Sequence, residues 1–351
     1  MENVMMDSRI SHAKKILMDT ISGIREYMDD PAIQEIMINP DGSLWIEKNG
    51  IMTHVGEVQN ATAQNAIILM ARMQNASVSA GDESGIVDAR LPDDGSRFAG
   101  ILSPPAVGGC LISIRKHARR VFTLDEYYAR RAFDQVEQDE DDFDENEENM
   151  SGARFLEWLK QMVKARKNIL VSGGTSTGKT TFLNAMIKEV DINDRVIIIE
   201  DTPELESPSK NTIKLEANPR VGITINRLVR ASLRLRPDRI IIGEVRGKEA
   251  YDMLYALNTG HSGGMTTLHG DTPDRVLNRM EAMIMEAGVD TDIHALRQKI
   301  ASTFDIVIQL GRSTKGERFV SEAVKLLYYD PVKGQYITKN IFTRKKSKQA
   351  A

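Results

Sequence analysis

The feature that most constrains this chain is a glycine-rich octapeptide, Gly173-Gly174-Thr175-Ser176-Thr177-Gly178-Lys179-Thr180. It matches the phosphate-binding loop (P-loop) pattern G-x-x-x-x-G-K-[ST]. A strand-like apolar segment, 168–172, precedes it, and a helix-like segment, 180–188, follows it. Glycines let successive backbone N–H groups face phosphate oxygens, and the helix N-terminus adds its positive end. The order of strand, loop and helix predicts a nucleotide-binding domain.

Individual residues of this loop have predictable tasks. Lys179 brings a positive charge to the β- and γ-phosphates, and the Thr180 hydroxyl can ligate Mg²⁺. The whole octapeptide, together with Thr181, is therefore predicted to contact ATP.

Two apolar segments downstream end in carboxylates. Ile240-Ile241-Ile242-Gly243-Glu244 is typical of a Walker B strand, whose acid holds Mg²⁺ through water or polarises the attacking water. The other segment, 197–205, ends its apolar run at Glu200, which is well placed to act as a general base for water. A solvated acidic turn is the alternative interpretation of that segment.

A glycine-rich segment, 260–270, carries two histidines, His261 and His269. Metal binding by these residues is a poor hypothesis, because neither a further Cys nor a carboxylate pair completes a site nearby. His269 is interpreted as a γ-phosphate sensor, and a structural histidine is the alternative.

Arginines form a further group of candidates. A basic stripe at 227, 230 and 234 is followed by Arg236 and Arg239, and upstream lie Arg97 and Arg115. Guanidinium groups can be supplied to phosphates by a neighbouring subunit. Sequence physics alone does not separate these side chains from solvated surface arginines.

The chain divides at a strongly acidic segment. Ten acidic residues and no basic one lie within 134–150, and such a block repels itself and buries almost nothing. We expect a domain at 1–133, a linker at 134–150 and a second domain at 151–351 that ends in a basic tail.

The two predicted domains differ in the order of their strands and helices. An amphipathic helix at 10–28, strands at 33–38, 43–47, 51–55, 87–91, 97–103 and 111–115, and a helix at 61–73 indicate a smaller α+β domain. After the linker, apolar strands at 168–172, 196–200, 239–243 and 265–268 alternate with helices, which predicts an α/β domain with a parallel-rich sheet.

Composition excludes several classes of protein. The single cysteine, Cys110, rules out an intrachain disulfide framework and fits a reducing compartment. The start of the chain lacks the basic and apolar regions of a signal peptide, and the apolar runs are far shorter than the ~18 residues needed to span a bilayer. A secreted or integral membrane protein is not expected.

Four segments, 173–180, 199–205, 233–247 and 260–270, together with 36–42, 91–97 and 112–116, resemble the secretion ATPase superfamily in order and spacing. The resemblance is to the type IV secretion and conjugal-transfer ATPases of the TrbB type, over about residues 20–330. The lack of a four-cysteine zinc module argues against the type II secretion and pilus-assembly branch.

The resemblance implies a RecA-like ATPase domain and a hexameric cytoplasmic ring, peripheral at the inner membrane. Its partners would be other secretion-machine ATPases and inner-membrane components, with DNA or protein cargo handled only indirectly. It implies ATP and Mg²⁺ at Lys179 and Thr180, and Glu200 and Glu244 as the catalytic acidic-box and Walker B residues, with Glu244 also near the Mg²⁺. It further implies His269 as the histidine-box residue, and the N-domain arginines Arg97 and Arg115 reaching the γ-phosphate.

Two other functions stay open at this point. A RecA-like DNA motor would need a nucleic-acid path, yet the net charge is −4 and only 5% of residues are aromatic. A nucleotide-gated assembly scaffold would bind ATP without turnover, and two separate acidic segments favour turnover instead.

Overall fold

The computed structural model describes residues 20, 22–48, 50–73, 85–91, 95–116, 121–134, 149–289, 291–314 and 316–344. It divides the chain into two compact units, Met1–Arg119 and Arg120–Ala351. The first part of the predicted helix at 10–28, nearly all of the acidic segment 134–150 and most of the basic tail lie outside the described residues.

The first unit contains a six-stranded antiparallel sheet in the order β3-β2-β1-β6-β5-β4. Its strands are β1 Ile33–Ile38, β2 Ser43–Lys48, β3 Ile51–Glu57, β4 Ile86–Arg90, β5 Arg97–Ile101 and β6 Leu111–Arg115. Its helices are α1 Arg25–Asp29 and α2 Asn60–Met73. Buried residues of α2 and of the strands form one core, so the predicted α+β domain is confirmed.

The second unit contains an eight-stranded sheet in the order β14-β13-β12-β7-β11-β10-β8-β9. Its strands are β7 Ile169–Gly173, β8 Val196–Glu200, β9 Thr212–Glu216, β10 Arg239–Ile242, β11 Met265–His269, β12 Ile306–Arg312, β13 Arg318–Asp330 and β14 Gln335–Thr343. Its helices are α3 Leu124–Ala129, α4 Gly152–Lys164, α5 Lys179–Ile187, α6 Ile225–Ser232, α7 Glu249–Asn258, α8 Pro273–Glu286 and α9 Ile293–Thr303.

The strands from β12 to β9 pair in parallel, whereas β13 and β14 are antiparallel. The apolar central strands β7, β8 and β10 are buried along their full length, as strands covered on both faces must be. This confirms the predicted α/β domain with a parallel-rich sheet. The carboxyl ends of β7, β8, β10 and β11 meet at one edge, where ligands bind in such sheets.

The boundary between the units falls earlier than the predicted one after Phe133. Phe133 and Ala132 belong to the core of the second unit, together with Leu124 of α3. The Phe133 ring packs edge-on against Phe155, and the Val320 N–H donates to the Ala132 carbonyl, at 2.9 Å. The acidic segment therefore interrupts the second unit instead of preceding it.

No helix in the described ranges is long and apolar enough to cross a bilayer.

Candidate nucleotide-binding site

The P-loop connects β7 to α5 through a sharply turned backbone. Two of its residues, Ser176 and Gly178, have positive φ values of 59° and 85°. A Cβ on Gly173 would lie 2.4 Å from the Thr177 Oγ1, which itself donates to the Gly174 carbonyl, at 2.9 Å. Glycine at 173 and 178 is thus required by a close approach and by the left-handed backbone respectively.

Lys179 begins α5 and is only 8% exposed. Its Nζ donates to the carbonyl oxygens of Gly173, at 3.1 Å, and Gly174, at 3.0 Å. The Nζ also lies 3.3 Å from Nδ1 of His269. The P-loop lysine is therefore bonded to its own loop and to the last residue of the neighbouring strand β11.

His269 connects the P-loop to the predicted Walker B acid. Its Nε2 lies 3.1 Å from Glu244 Oε1. Burial and the charge of Lys179 lower the pKa of His269, which favours a neutral ring. A neutral ring whose Nδ1 accepts from Lys179 carries its proton on Nε2, the ring atom that lies beside Glu244.

Glu244 follows the end of β10, and its carboxylate has a second cationic partner. Arg246 Nη2 lies 2.6 Å from Glu244 Oε2, and Arg246 Nη1 lies 3.4 Å from Asp201 Oδ2. Burial raises the pKa of Glu244, but the hydrogen bond and charge of Arg246 outweigh it and hold that pKa below its usual value. The carboxylate is therefore ionised at neutral pH.

Glu200 ends β8 beside this group and is 4% exposed. The Glu200 side chain packs directly against the backbone of Gly243, because a Cβ on Gly243 would lie 2.9 Å from the Glu200 Cγ. The carboxylate accepts from the backbone N–H groups of Glu204, at 3.0 Å, and Leu205, at 3.1 Å. Burial nevertheless raises the pKa of Glu200 to about 7.

The donor set fits a magnesium nucleotide. The hydroxyl of Thr180 in the first turn of α5 and the ionised carboxylate of Glu244 are oxygen ligands of the kind Mg²⁺ prefers. Within the described ranges, no three His, Cys, Asp or Glu side chains cluster to hold a metal by themselves.

The remaining predicted residues lie on other elements of the two units. His261 places Nδ1 3.1 Å from the Ala256 carbonyl near the end of α7, which agrees with a structural histidine. Arg97 on β5 and Arg115 on β6 occupy directly paired register positions in the first unit. Arg115 is exposed, and Arg97 is half-buried.

The basic stripe at 227, 230 and 234 is exposed, whereas Arg239, which follows it, is buried. Arg230 is exposed and pairs with Asp252, at 2.7 Å. Arg239 is 1% exposed and forms an ion pair with Asp194, at 2.5 Å. The expectation that Arg239 is a solvated or phosphate-directed arginine is therefore wrong, because its guanidinium is buried in a structural ion pair.

Sequence reasoning missed Arg246, Arg318 and Gln309 at this site. The Arg318 Nε donates to the Ser176 carbonyl, at 3.2 Å, and the Gln309 Nε2 donates to the Gly270 carbonyl, at 2.9 Å. Arg246 stands two positions after Glu244, which was a usable signal. Arg318 and Gln309 reach the loops from strands distant in sequence, and no local pattern indicates them.

Comparisons with known proteins agree on one family. The profile of the family described as "Type II/IV secretion system protein" matches residues 21–340. The conjugal transfer protein TrbB of Rhizobium radiobacter is 35% identical over 306 residues, covering 86% of each chain. The type IV secretion system protein VirB11 of Bartonella quintana is 30% identical over 352 residues, covering 92% of this chain and 95% of its own.

A solved structure has the same fold. The ATPase DotB of Legionella pneumophila superposes with a TM-score of 0.59 at 19% identity, covering 89% of this chain and 81% of its own. At that identity the likeness concerns the fold alone.

Proposed function

The chain belongs to the type II/IV secretion system protein family, and we propose that it hydrolyses ATP to power transfer by a type IV secretion or conjugation machine. The observation that carries this proposal is the series of contacts Lys179–His269–Glu244, which joins the P-loop to the Walker B acid. A P-loop that served only as a turn would have no need of an ionised carboxylate two side chains away.

The chemistry follows from these positions. Backbone N–H groups of the P-loop and Lys179 bind the phosphates, and Thr180 with Glu244 would hold Mg²⁺, which would supply positive charge to the transferring phosphoryl group. Glu200 accepts the proton of the attacking water, for which a pKa of about 7 is well suited. His269, whose Nε2 lies 3.1 Å from Glu244 Oε1, packs beside the Glu244 carboxylate.

Steady-state ATP turnover tests this proposal, with Lys179→Ala as the inactive variant. Lys210, an exposed residue away from the P-loop, supplies a matched control in Lys210→Ala. We expect turnover to fall to background in Lys179→Ala and to persist in the control. Tight ATP binding without turnover in the wild-type protein would favour a nucleotide-gated scaffold. Stimulation by DNA that falls steeply with salt would favour a DNA motor.

The finer features of the proposal come from the family. We propose a hexameric ring at the cytoplasmic side of the inner membrane, in contact with other ATPases and membrane components of the machine. Arg97 and Arg115 are proposed to act on the γ-phosphate. An arginine supplied to a transferring phosphoryl group is worth ~10³–10⁵ in rate.

A further inference from the structure

A cationic side chain outside the four sequence motifs lies at the P-loop. Arg318 opens β13, which pairs with β12, and β12 pairs in parallel with the P-loop strand β7. Leu310 of β12 lies opposite Gly173 on one side and Val320 on the other. The first residues of β13 therefore reach the sheet edge from which the P-loop leaves.

The face on which Arg318 lies can be read from its neighbour two positions along the strand. Val320 is buried in the core cluster that contains Phe182 and Leu183 of α5. Side chains two apart on a strand share a face of the sheet. Arg318 is thus on the face that carries α5, the helix whose N-terminus forms the phosphate site.

Arg318 contacts the two residues that turn the loop. Its Nε donates to the carbonyl of Ser176, and its Cδ lies 3.0 Å from the position that a Cβ on Gly178 would take. Both Ser176 and Gly178 have positive φ. The side chain therefore covers the segment of the loop whose N–H groups are predicted to meet phosphate oxygens.

A second arginine adds positive charge at the same edge. Arg312, the last residue of β12, is the direct register partner of Arg318. Directly opposed residues of an antiparallel pair project on the same face, and like charges there repel one another.

We propose that Arg318 is a phosphate-binding residue, whose guanidinium group contacts the phosphate chain of a nucleoside di- or triphosphate held by the P-loop. The inference rests on the proposed function and names a residue of the same site. Guanidinium groups suit this task because they stay charged and donate several hydrogen bonds from a planar fork. The bond to Ser176 holds this one at the loop before the ligand arrives.

Equilibrium binding of ADP and of inorganic pyrophosphate to the full chain tests the inference. Loss of a hydrogen bond to a charged group weakens binding by about tenfold to a hundredfold. We expect Arg318→Gln to weaken ADP and pyrophosphate binding by that factor, since pyrophosphate reports on the phosphate chain alone. Arg344→Gln is the matched control, because the Arg344 guanidinium lies 4.2 Å over the Phe319 ring and its loss removes the same charge.

A purely structural role for Arg318 makes a different prediction. Arg318→Lys keeps the charge and loses the Nε bond to Ser176, so phosphate contact predicts recovery of affinity to within a few-fold of wild type. It also predicts a weaker salt dependence of pyrophosphate binding in Arg318→Gln.

Three results would overturn the assignment. One is unchanged affinity in Arg318→Gln. Another is an Arg318→Lys variant no better than Arg318→Gln with an unaltered salt dependence, which would make Arg318 a clamp on the loop. The third is a folded wild-type protein that binds ADP no better than Lys179→Ala, in which case the proposed function fails as well.

Discussion

At the residue scale, the charged groups of the site lie in contact with one another. Lys179 contacts His269, His269 contacts Glu244, and Glu244 is held by Arg246, which also reaches toward Asp201. Each of these groups must exchange a protein partner for a phosphate, metal or water when a nucleotide binds. The net free energy of binding is therefore reduced by the cost of breaking these bonds.

Arg246 gives the clearest consequence of that competition. The Arg246 guanidinium lies 2.6 Å from Glu244 Oε2, and the Arg246 side chain is 57% exposed. A ligand can therefore displace it from the carboxylate with little loss of buried surface. Because such an ion pair is worth about 1 kcal/mol or less, we expect Arg246→Gln to tighten Mn²⁺ binding to the protein–ADP complex by a few-fold. A titration followed by electron paramagnetic resonance measures this. Arg275→Gln, which removes another exposed guanidinium, is the control, and equal Mn²⁺ affinity in all three proteins would contradict the competition.

Glu200 gives a prediction about pH. Burial raises its pKa to about 7, so the folded state binds more protons than the unfolded state between pH 4.5 and pH 7. Its contribution to stability is therefore present below pH 4.5 and is lost as the pH rises through 7. Turnover has the opposite trend, because only the ionised carboxylate accepts a proton from water.

We expect ATP turnover to rise with pH through about 7, with Glu200→Gln inactive at every pH. The free energy of unfolding of Glu200→Gln should fall less than that of wild type over the same interval. Turnover profiles and chemical denaturation across pH 5 to 8 measure the two effects. A wild-type profile that is flat through pH 7 would exclude Glu200 as the base with that pKa.

The candidate residues at this scale were predicted because they stand in the P-loop or at the ends of apolar strands. Lys179, Glu244 and His269 belong to motifs that can be recognised from the sequence alone. The fold places Lys179 Nζ 3.3 Å from His269 Nδ1, and His269 Nε2 3.1 Å from Glu244 Oε1. What each carboxylate is bonded to was not predictable. The backbone N–H groups that hold Glu200 depend on how the chain turns after β8, and the pKa of Glu200 depends on burial.

At the element scale, the loop after β11 is fixed to the P-loop strand by its backbone. The Gly270 carbonyl accepts from Ser172 Oγ of β7, at 3.3 Å, and from Gln309 Nε2 of β12, at 2.9 Å. Since His269 directly precedes Gly270, these two bonds set where the imidazole stands relative to Lys179. Residues of β7 and β12 thus hold the end of β11, which positions the His269 ring.

Gly270→Ala tests this arrangement. A Cβ there would lie 2.9 Å from Ser172 Oγ and 2.9 Å from Val276 Cβ, both on packed elements. We expect a loss of about 1–3 kcal/mol in the free energy of unfolding and a larger relative loss of turnover, because His269 is displaced. Urea denaturation and turnover measure both. Gly23→Ala is the control, since nothing lies within 4 Å of a Cβ there, and wild-type turnover in Gly270→Ala would contradict the positioning role.

Secondary-structure elements were predicted best where residues close together in the sequence determine them. The runs at 196–200 and 111–115 are strands with the predicted bounds, because apolar residues there stand between clear turns. Strands β12, β13 and β14 were not anticipated. A short apolar run such as 306–310 does not distinguish strand from helix, and its pairing with β7 joins segments far apart in sequence.

At the scale of the whole molecule, the segment before the acidic stretch belongs to the second unit. Phe133 is fully buried, with ring centroids 5.3 Å from Phe155 and 6.3 Å from Phe182. A composition shift marked the acidic stretch but not the hydrophobic anchor that precedes it. That is why the predicted boundary fell later than the one in the structure.

Phe133→Ala should destabilise the second unit. Removing a buried phenylalanine costs about 3–5 kcal/mol, and Phe182 connects the loss to the helix that follows the P-loop. We expect a lower midpoint of thermal unfolding, with nucleotide shifting it upward by mass action. Tyr128→Ala, at a side chain 42% exposed, is the control. A midpoint of thermal unfolding equal to that of wild type would contradict the assignment of Phe133 to the core of the second unit.

Sharing of sites between subunits is the last property to test, and it depends on Arg97. If Arg97 acts on the γ-phosphate, Arg97→Ala should keep ADP affinity within a few-fold and lose most of its turnover, by up to ~10³–10⁵.

Lys179→Ala loses turnover for a different reason, because its own P-loop no longer binds phosphate. In a ring where each site takes Lys179 from one subunit and Arg97 from the next, mixing equal amounts of the two variants restores about a quarter of the sites. Turnover measured after mixing and re-equilibration should therefore recover to a corresponding fraction of wild type. If the mixture stays as inactive as either variant while mass measurements show mixed oligomers, Arg97 acts within its own subunit or not at all.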